Sequence, residues 1–116
     1  MNLEQARVDM IEQQVRTWDV FDAQVLGLMR DLPREIFVPK EYQEFSYADM
    51  QVPLPRGQVM LPPREIGRIL QSLQIQSHER VLEIGTGSGY LTTLMSMLAE
   101  HVTSIEIFPD ISISAQ

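Results

Sequence analysis

Three glycines at alternate positions, directly after a short apolar run, are the residues whose types and spacing most clearly indicate chemistry. Residues 81–84 are predicted to form a buried β-strand, because β-branched and aliphatic residues are bounded there by turn-forming ones. Gly85, Gly87 and Gly89 follow, and an apolar pattern typical of a helix begins at Leu91. A strand, a glycine turn and a helix together point backbone N–H groups at a ligand. The stretch therefore predicts a site for a nucleotide-type ligand.

The spacing of the glycines distinguishes between ligands. A dinucleotide-binding motif, G-x-G-x-x-G, would have its last glycine where this sequence has Tyr90. The glycines are instead spaced as in the first motif of class I methyltransferases, which the stretch resembles. That resemblance implies S-adenosylmethionine as the cofactor and makes a nicotinamide enzyme the less favoured alternative. The residues predicted to bind the cofactor here are Glu83, Gly85, Thr86, Gly87, Ser88, Gly89 and Tyr90.

An acidic residue after the next strand adds to this prediction. Glu106 lies twenty-one residues beyond Gly85, near the end of the alternating run 102–107. A carboxylate at the tip of the second strand can accept both ribose hydroxyls of an adenosine. We therefore predict that Glu106 also binds the cofactor. The alternative is a structural turn with a solvated carboxylate at the strand end.

Composition narrows the class of protein. The chain has 116 residues, 44% of them hydrophobic, which is typical of one globular domain. It has no cysteine, so disulfides and thiolate metal sites are excluded, and no metal site is predicted. A net charge of −7 argues against nonspecific binding to nucleic acid. With no secretory signature and no bilayer-length apolar run, we expect a cytoplasmic protein that does not enter a membrane.

Two helices are predicted before the first prolines. Residues 3–17 show helical periodicity, with Val8, Ile11 and Val15 on one face and Trp18 as a buried anchor. Asp19 or Asp22 is predicted to cap a second helix. Its apolar face is predicted to comprise Phe21, Val25, Leu28, Met29 and Leu32.

The middle of the chain is less regular. Residues 32–39 are predicted to be extended or turned, with one short helical turn, and residues 40–48 to be a packed connector. Residues 49–63 are proline-rich and predicted to be a loop or short strand. Loops on rigid scaffolds often carry binding residues. The predicted substrate loop comprises Arg56, Gly57, Gln58, Val59, Met60 and Leu61.

Two further helices flank the glycine turn. The first is predicted from Pro63 through Ser72, with close packing at Gly67, and His78 beyond it is predicted to be on the surface. Its apolar stripe is Ile66, Ile69, Leu70 and Leu73. The second helix is predicted to end near Glu100, and another to begin at Pro109–Asp110. Its apolar stripe is Leu91, Leu94, Met95 and Leu98.

The order of these segments resembles the N-terminal portion of the protein-L-isoaspartate O-methyltransferase family. The resembling segments are residues 10–16, 33–39, 47–49, 53–55 with 57–58, and 81–90. The resemblance implies an α/β fold: a Rossmann-like class I methyltransferase sheet, of which two parallel strands are visible, preceded by an N-terminal helical region. Residues 1–62 would form that helical and loop region, and residues 63–116 the first part of the S-adenosylmethionine-binding domain.

The resemblance also implies a repair activity on damaged protein. The enzyme would move a methyl group from S-adenosylmethionine to the α-carboxylate of an isoaspartyl residue in a peptide or protein. A carboxylate is already a nucleophile, so catalysis would come mainly from in-line placement and exclusion of water. Glu106 would hold the ribose, and the backbone of residues 85–89 would face the methionine part of the cofactor.

The substrate loop departs from the family pattern. Where the family carries a Thr and then a Ser, this chain has Val59 and Leu61, and Pro62 replaces a polar residue. No catalytic residue is therefore carried over from the family. The alternative function is a non-catalytic relative that keeps the cofactor turn and binds a protein or peptide partner through residues 56–64. Arg56 and Arg64 could bind a carboxylate or be ordinary surface arginines.

A complete methyltransferase sheet needs more than two strands. Either this sequence is a piece of a longer protein, or two copies form a homo-oligomer that covers the unpaired apolar sheet edge. We expect the isolated chain to bind S-adenosylmethionine weakly and to turn over poorly or not at all.

Overall fold

A computed structural model describes residues 2–106 of the chain. The α-helices are α1 (Leu3–Met10), α2 (Ala23–Asp31), α3 (Pro63–Leu73) and α4 (Tyr90–Ser96). The strands are β1 (Val52–Pro53), β2 (Val59–Met60), β3 (Arg80–Ile84) and β4 (His101–Ile105). Short 3₁₀ turns occupy Arg16–Trp18, Arg34–Phe37, Lys40–Phe45 and Pro55–Gly57, and a π-helical turn occupies Ile11–Val15.

The strands form two separate pairs. β3 and β4 are parallel, with Arg80 opposite His101 and Ile84 opposite Ile105, and α4 connects them. β1 and β2 are antiparallel, with Val52 opposite Met60. A parallel pair joined by a crossover helix is the unit from which Rossmann-like sheets are built. The predicted fold class is therefore confirmed.

The first helix changes its winding partway along. The π-helical turn that follows α1 advances less angle per residue than an α-helix, so it rotates the residues after it. As a result Ile11 and Val15 share the buried face with Met10, whereas Val8 is 38% exposed. The prediction that Val8 lies on the apolar face was wrong for this reason.

The connection to α2 also differs from the prediction. Asp19 adopts a left-handed conformation and ends the helical segment, which leaves Trp18 41% exposed instead of buried. Asp22 is the N-cap of α2 and accepts hydrogen bonds from the first-turn backbone. Phe21 precedes this cap and is 78% exposed, so its predicted place on the apolar face was also wrong.

α3 packs closely against the N-terminal helices. Pro63 starts the helix as predicted, and a Cβ atom at Gly67 would lie only 2.9 Å from Val15 Cγ1. This confirms the close packing expected at Gly67. Ile66 and Leu70 are buried, but Leu73 is exposed at the helix end, contrary to the prediction.

One hydrophobic core runs from α1 to α4. It includes residues from both proposed parts of the chain, 1–62 and 63–116, and that division stays a prediction.

The predictions near the C-terminal end of the described residues have different outcomes. α4 ends at Ser96 instead of near Glu100. His78 is exposed, as predicted. Ile107 and the helix predicted at Pro109–Asp110 lie outside the described residues.

The β3–β4 pair is covered on one face only within residues 2–106. Val81 and Val102 pack against the core on that face. On the other face Leu82, Ile84 and Ile105 are exposed. The prediction of a buried strand was therefore wrong here, because no element among the described residues packs on that second face.

Candidate functional site

The turn between β3 and α4 depends on glycine. Gly85, Gly87 and Gly89 have φ angles of 90°, 59° and 89°, in the left-handed region that L side chains rarely adopt. The Gly85 N–H donates to the Ile105 carbonyl at 2.6 Å, and the Gly89 N–H donates to the Thr86 carbonyl at 3.1 Å. The strand, turn and helix thus follow one another as the sequence predicted.

Glu106 lies beside this turn. Its Oε1 atom accepts a hydrogen bond from the Gly87 backbone N–H at 3.0 Å. The acidic residue beyond β4 and the glycine turn beyond β3 thus meet at the same edge of the sheet, as expected for the carboxyl ends of parallel strands. The structure brings these two predicted cofactor residues together.

Glu83 joins the strands to α4. Its Oε1 accepts hydrogen bonds from Ser104 Oγ at 2.6 Å and from Thr92 Oγ1. Ser104 Oγ also lies 2.5 Å from Thr86 Oγ1 in the turn. Ser104 and Thr92 were not among the predicted site residues. The strand register could have indicated Ser104, because it is directly opposite Glu83.

A cavity of about 90 Å³ lies between the glycine turn and β2 with the adjoining Leu61. Its walls combine the predicted cofactor motif with the second half of the predicted substrate loop. They are formed by Arg34, Val59, Met60, Leu61, Ile66, Glu83, Gly85, Thr86, Gly87, Ser88, Tyr90 and Leu91. The first half of the loop, Arg56, Gly57 and Gln58, is exposed at the turn between β1 and β2 and does not line this cavity.

Arg34 is the cavity residue that sequence reasoning overlooked. It lies in the proline-bounded segment, yet its exposure is 0%. Its Nε donates to the Ser46 carbonyl and its Nη2 to the Leu61 carbonyl, both at 2.8 Å. Burial lowers the pKa of Arg34 below its ordinary value. Residue type alone gave no signal, since arginine is rarely buried.

Tyr90 packs against this arginine. The guanidinium carbon of Arg34 lies 4.9 Å from the centroid of the Tyr90 ring. Burial raises the pKa of Tyr90 to about 12, while the nearby positive charge of Arg34 opposes the rise. The guanidinium lies over the ring face and also interacts with the Tyr90 hydroxyl. Arg34 Nη1 and that hydroxyl are both buried, and neither makes a well-formed hydrogen bond.

Two features are absent from residues 2–106, a cluster of metal-binding side chains and a membrane-spanning helix. No three His, Cys, Asp or Glu side chains in residues 2–106 are grouped in a way that would hold a metal ion. Over the same range, no helix has the length and apolar character to cross a bilayer.

The parallel β3–α4–β4 unit, its glycine turn and the acidic residue after β4 define a Rossmann-like fold of the class I methyltransferase type. Comparison with known proteins gives the family. The profile of the protein-L-isoaspartate(D-aspartate) O-methyltransferase family matches residues 5–116, and the chain belongs to that family.

Individual relatives agree with this assignment. The chain is 43% identical over 106 residues to a protein-L-isoaspartate O-methyltransferase of Methanoculleus marisnigri, covering 91% of this chain and 48% of the relative. It is 44% identical over 95 residues to that of Myxococcus xanthus, covering 82% of this chain and 45% of the relative. The chain thus spans about half the length of these relatives.

Solved structures show the same fold. A putative protein-L-isoaspartate O-methyltransferase from Plasmodium falciparum, in complex with S-adenosyl-L-homocysteine, superposes with a TM-score of 0.80 at 20% identity. The match covers 94% of this chain and 52% of that one. A second protein-L-isoaspartate O-methyltransferase superposes with a TM-score of 0.76 at 24% identity, covering 94% of this chain and 36% of its own.

Proposed function

We propose that the protein containing this chain transfers a methyl group from S-adenosylmethionine to the α-carboxylate of isoaspartyl residues in damaged peptides and proteins. The observation that carries the proposal is the contact between Glu106 and the Gly87 N–H, at the edge of a cavity shared by the glycine turn and the substrate loop. Family membership supports the same activity.

The residues present suit S-adenosylmethionine. A Cβ atom at Gly85 would meet no other atom within 4 Å, so the backbone there faces open space. In the proposal, the backbone of residues 85–89 faces the methionine part of the cofactor, and the Glu106 carboxylate binds the ribose hydroxyls. The bound cofactor would supply an electrophilic methyl group on its sulfonium.

The acceptor carboxylate has to be positioned, and it does not need a general base. Carboxylates are nucleophilic without losing a proton, so the chain's task is to orient the acceptor and exclude water. Val59, Met60 and Leu61 give the cavity an apolar wall. In place of the hydroxyls that the family carries in this loop, Thr86 and Ser88 bring hydroxyls from the glycine turn, and Arg34 contributes positive charge.

Location, domain division and oligomeric state stay predictions for this protein. We predict a cytoplasmic location, two structural parts at 1–62 and 63–116, and a homo-oligomer. The exposed apolar face of Leu82, Ile84 and Ile105 supports something packing there, and in the homo-oligomer a second copy would do so.

A methyl-transfer assay tests the proposal. The product of the complete gene is incubated with labelled S-adenosylmethionine and either an isoaspartyl peptide or the same peptide with normal aspartate. We expect base-labile methyl ester on the isoaspartyl peptide alone. Arg30→Lys, which changes an exposed arginine on α2, should leave the rate unchanged. Equal labelling of both peptides, or of neither, would overturn the proposed activity.

The apolar loop favours a second candidate, a non-catalytic relative. Val59 is 42% exposed, and Leu61 lies beside the cavity, so residues 56–64 offer an apolar surface to a protein or peptide partner. Under this candidate the full-length protein would bind S-adenosylhomocysteine but transfer no methyl group. Restoring the family's hydroxyls with Val59→Thr and Leu61→Ser would then raise activity from zero. Activity in the unaltered protein rules this candidate out.

A further inference from the structure

Arg34 is a buried cation that has no anionic partner among the described residues. Its side chain is fully buried, and none of its contacts within residues 2–106 is an ion pair with a carboxylate. Nε and Nη2 donate to the Ser46 and Leu61 carbonyls. Nη1 makes no well-formed hydrogen bond, and the guanidinium also interacts with the neutral Tyr90 side chain. Burying a charge is costly unless it is paired, so the unpaired charge of Arg34 calls for an anionic partner.

The location of Arg34 narrows the choice of acceptor. The residue lines the cavity that also contains the glycine turn and the substrate loop. Tyr90 lines the same cavity, and its hydroxyl is also buried without a well-formed hydrogen bond. An Arg Nη1 carries two N–H groups, and a tyrosine hydroxyl that accepts one of them keeps its own proton to donate. A positive charge without a carboxylate partner and these donors, beside a cavity of about 90 Å³, suit a small anionic group.

We propose that Arg34 is a carboxylate-binding residue of this site, with Nη1 as the donor and the Tyr90 hydroxyl as a second one. The inference rests on the proposed function, which supplies two carboxylates to this cavity. One is the methionyl carboxylate of the cofactor, and the other is the α-carboxylate of the isoaspartyl acceptor. Both present the same chemistry to a guanidinium, and experiment distinguishes them.

The experiment compares ligands with and without the carboxylate. The full-length protein is titrated with S-adenosylhomocysteine and with 5′-methylthioadenosine, which has the nucleoside but no amino-acid carboxylate. KM for the isoaspartyl peptide is measured in parallel. The variants are Arg34→Met and Arg34→Lys, with Arg30→Lys as the matched surface control. Because calorimetry reports Kd for the folded fraction, partial unfolding does not alter the comparison of the two nucleosides.

The outcomes separate the two sources. If Arg34 binds the cofactor, Arg34→Met weakens S-adenosylhomocysteine about tenfold or more and leaves 5′-methylthioadenosine unchanged. If it binds the acceptor, both nucleosides keep their Kd and the peptide KM rises by a similar factor. Arg34→Lys should recover part of either loss because it keeps the charge. Unchanged values throughout, or equal weakening of both nucleosides, would show a purely structural arginine and overturn the inference.

A measurement on the unaltered protein covers the case in which the variants do not fold. The Arg34 Nε–H is hydrogen-bonded to Ser46 and should give an observable nitrogen–proton NMR signal. We expect this signal to shift with S-adenosylhomocysteine or isoaspartyl peptide, but not with 5′-methylthioadenosine. No shift with either carboxylate ligand overturns the inference. Failure of the unaltered protein to bind S-adenosylhomocysteine or to methylate the peptide would instead overturn the proposed function.

Discussion

Glu106 Oε1 accepts a hydrogen bond from the Gly87 backbone N–H at 3.0 Å, across a separation of 19 residues in sequence. This contact ties the residue after β4 to the turn after β3. It orients the carboxylate next to the turn before any ligand binds, which reduces the cost of ordering the site on binding.

Replacing Gly85 tests the role of the turn. Gly85→Ala should destabilise the protein by about 1–2 kcal/mol, because alanine at a φ of 90° is strained even though its Cβ meets no atom within 4 Å. Gly27→Ala, in the helical geometry of α2 and equally unobstructed, should instead stabilise by about 0.5–1 kcal/mol. Denaturant unfolding measures both changes, and equal responses would contradict the strain argument.

Gly67 tests the packing of α3. Gly67→Ala places a Cβ 2.9 Å from Val15 Cγ1 and 3.2 Å from Val20 Cγ2, and β-branched valines have little freedom to move aside. Overpacking of about 1–3 kcal/mol should exceed the gain of about 1 kcal/mol in helix propensity. We expect a lower thermal midpoint than in the Gly27→Ala control. A rise in both proteins would mean that the helices separate easily.

The exposed Trp18 should still contribute to stability. The guanidinium carbons of Arg64 and Arg68 lie 4.7 and 5.7 Å from its ring centroid. Trp18→Ala should therefore cost about 1–2 kcal/mol in the free energy of unfolding. Phe21→Ala, which removes a ring that is 78% exposed, should change it by less than about 0.5 kcal/mol. Similar losses in the two variants would show that the arginine contacts add nothing.

Tyr90 should make the protein sensitive to alkali. Its pKa is raised from 10.0 to about 12 by burial, so between these values the unfolded chain releases a proton that the folded chain keeps. The contribution of Tyr90 to stability is therefore fully present below pH 10 and is lost at about 1.4 kcal/mol per pH unit between pH 10 and about 12.

The matched variant for that prediction is Tyr90→Phe. Because the hydroxyl makes no well-formed hydrogen bond, stability at neutral pH should change little, and the alkaline slope should become shallower. Tyr47, whose pKa burial also raises, should leave a residual slope. Identical slopes in the two proteins, measured by urea unfolding across this pH range, would contradict the assignment.

The parts of the fold that local sequence determines were predicted well. The β3 strand, the glycine turn and β4 follow directly from residue types whose backbone preferences need no tertiary information. The position of Glu106 beside the turn was predicted from a rule of topology, because residues that end neighbouring parallel strands meet at one sheet edge. A substrate loop was predicted around Val59, and part of it lines the cavity. The sequence did not indicate which half of that loop faces the cavity.

The errors came from tertiary packing. Helical periodicity assumes constant winding, and the π-helical turn at Ile11–Val15 rotated Val8 out of the buried face. Trp18 was expected to be buried because it is large and apolar, yet arginines from α3 cover its ring. Arg34 is buried through carbonyls distant in sequence, which no local pattern reveals.

The most direct test of the account is calorimetric titration of the full-length protein with S-adenosylhomocysteine. We expect the unaltered protein and Glu41→Ala, an exposed acidic control, to bind alike. Glu106→Ala should bind about tenfold more weakly or worse, because the ribose hydroxyls lose the carboxylate that accepts their hydrogen bonds. An unchanged Kd in Glu106→Ala, or no binding by the unaltered protein, would contradict the claim that this turn and this carboxylate form the cofactor site.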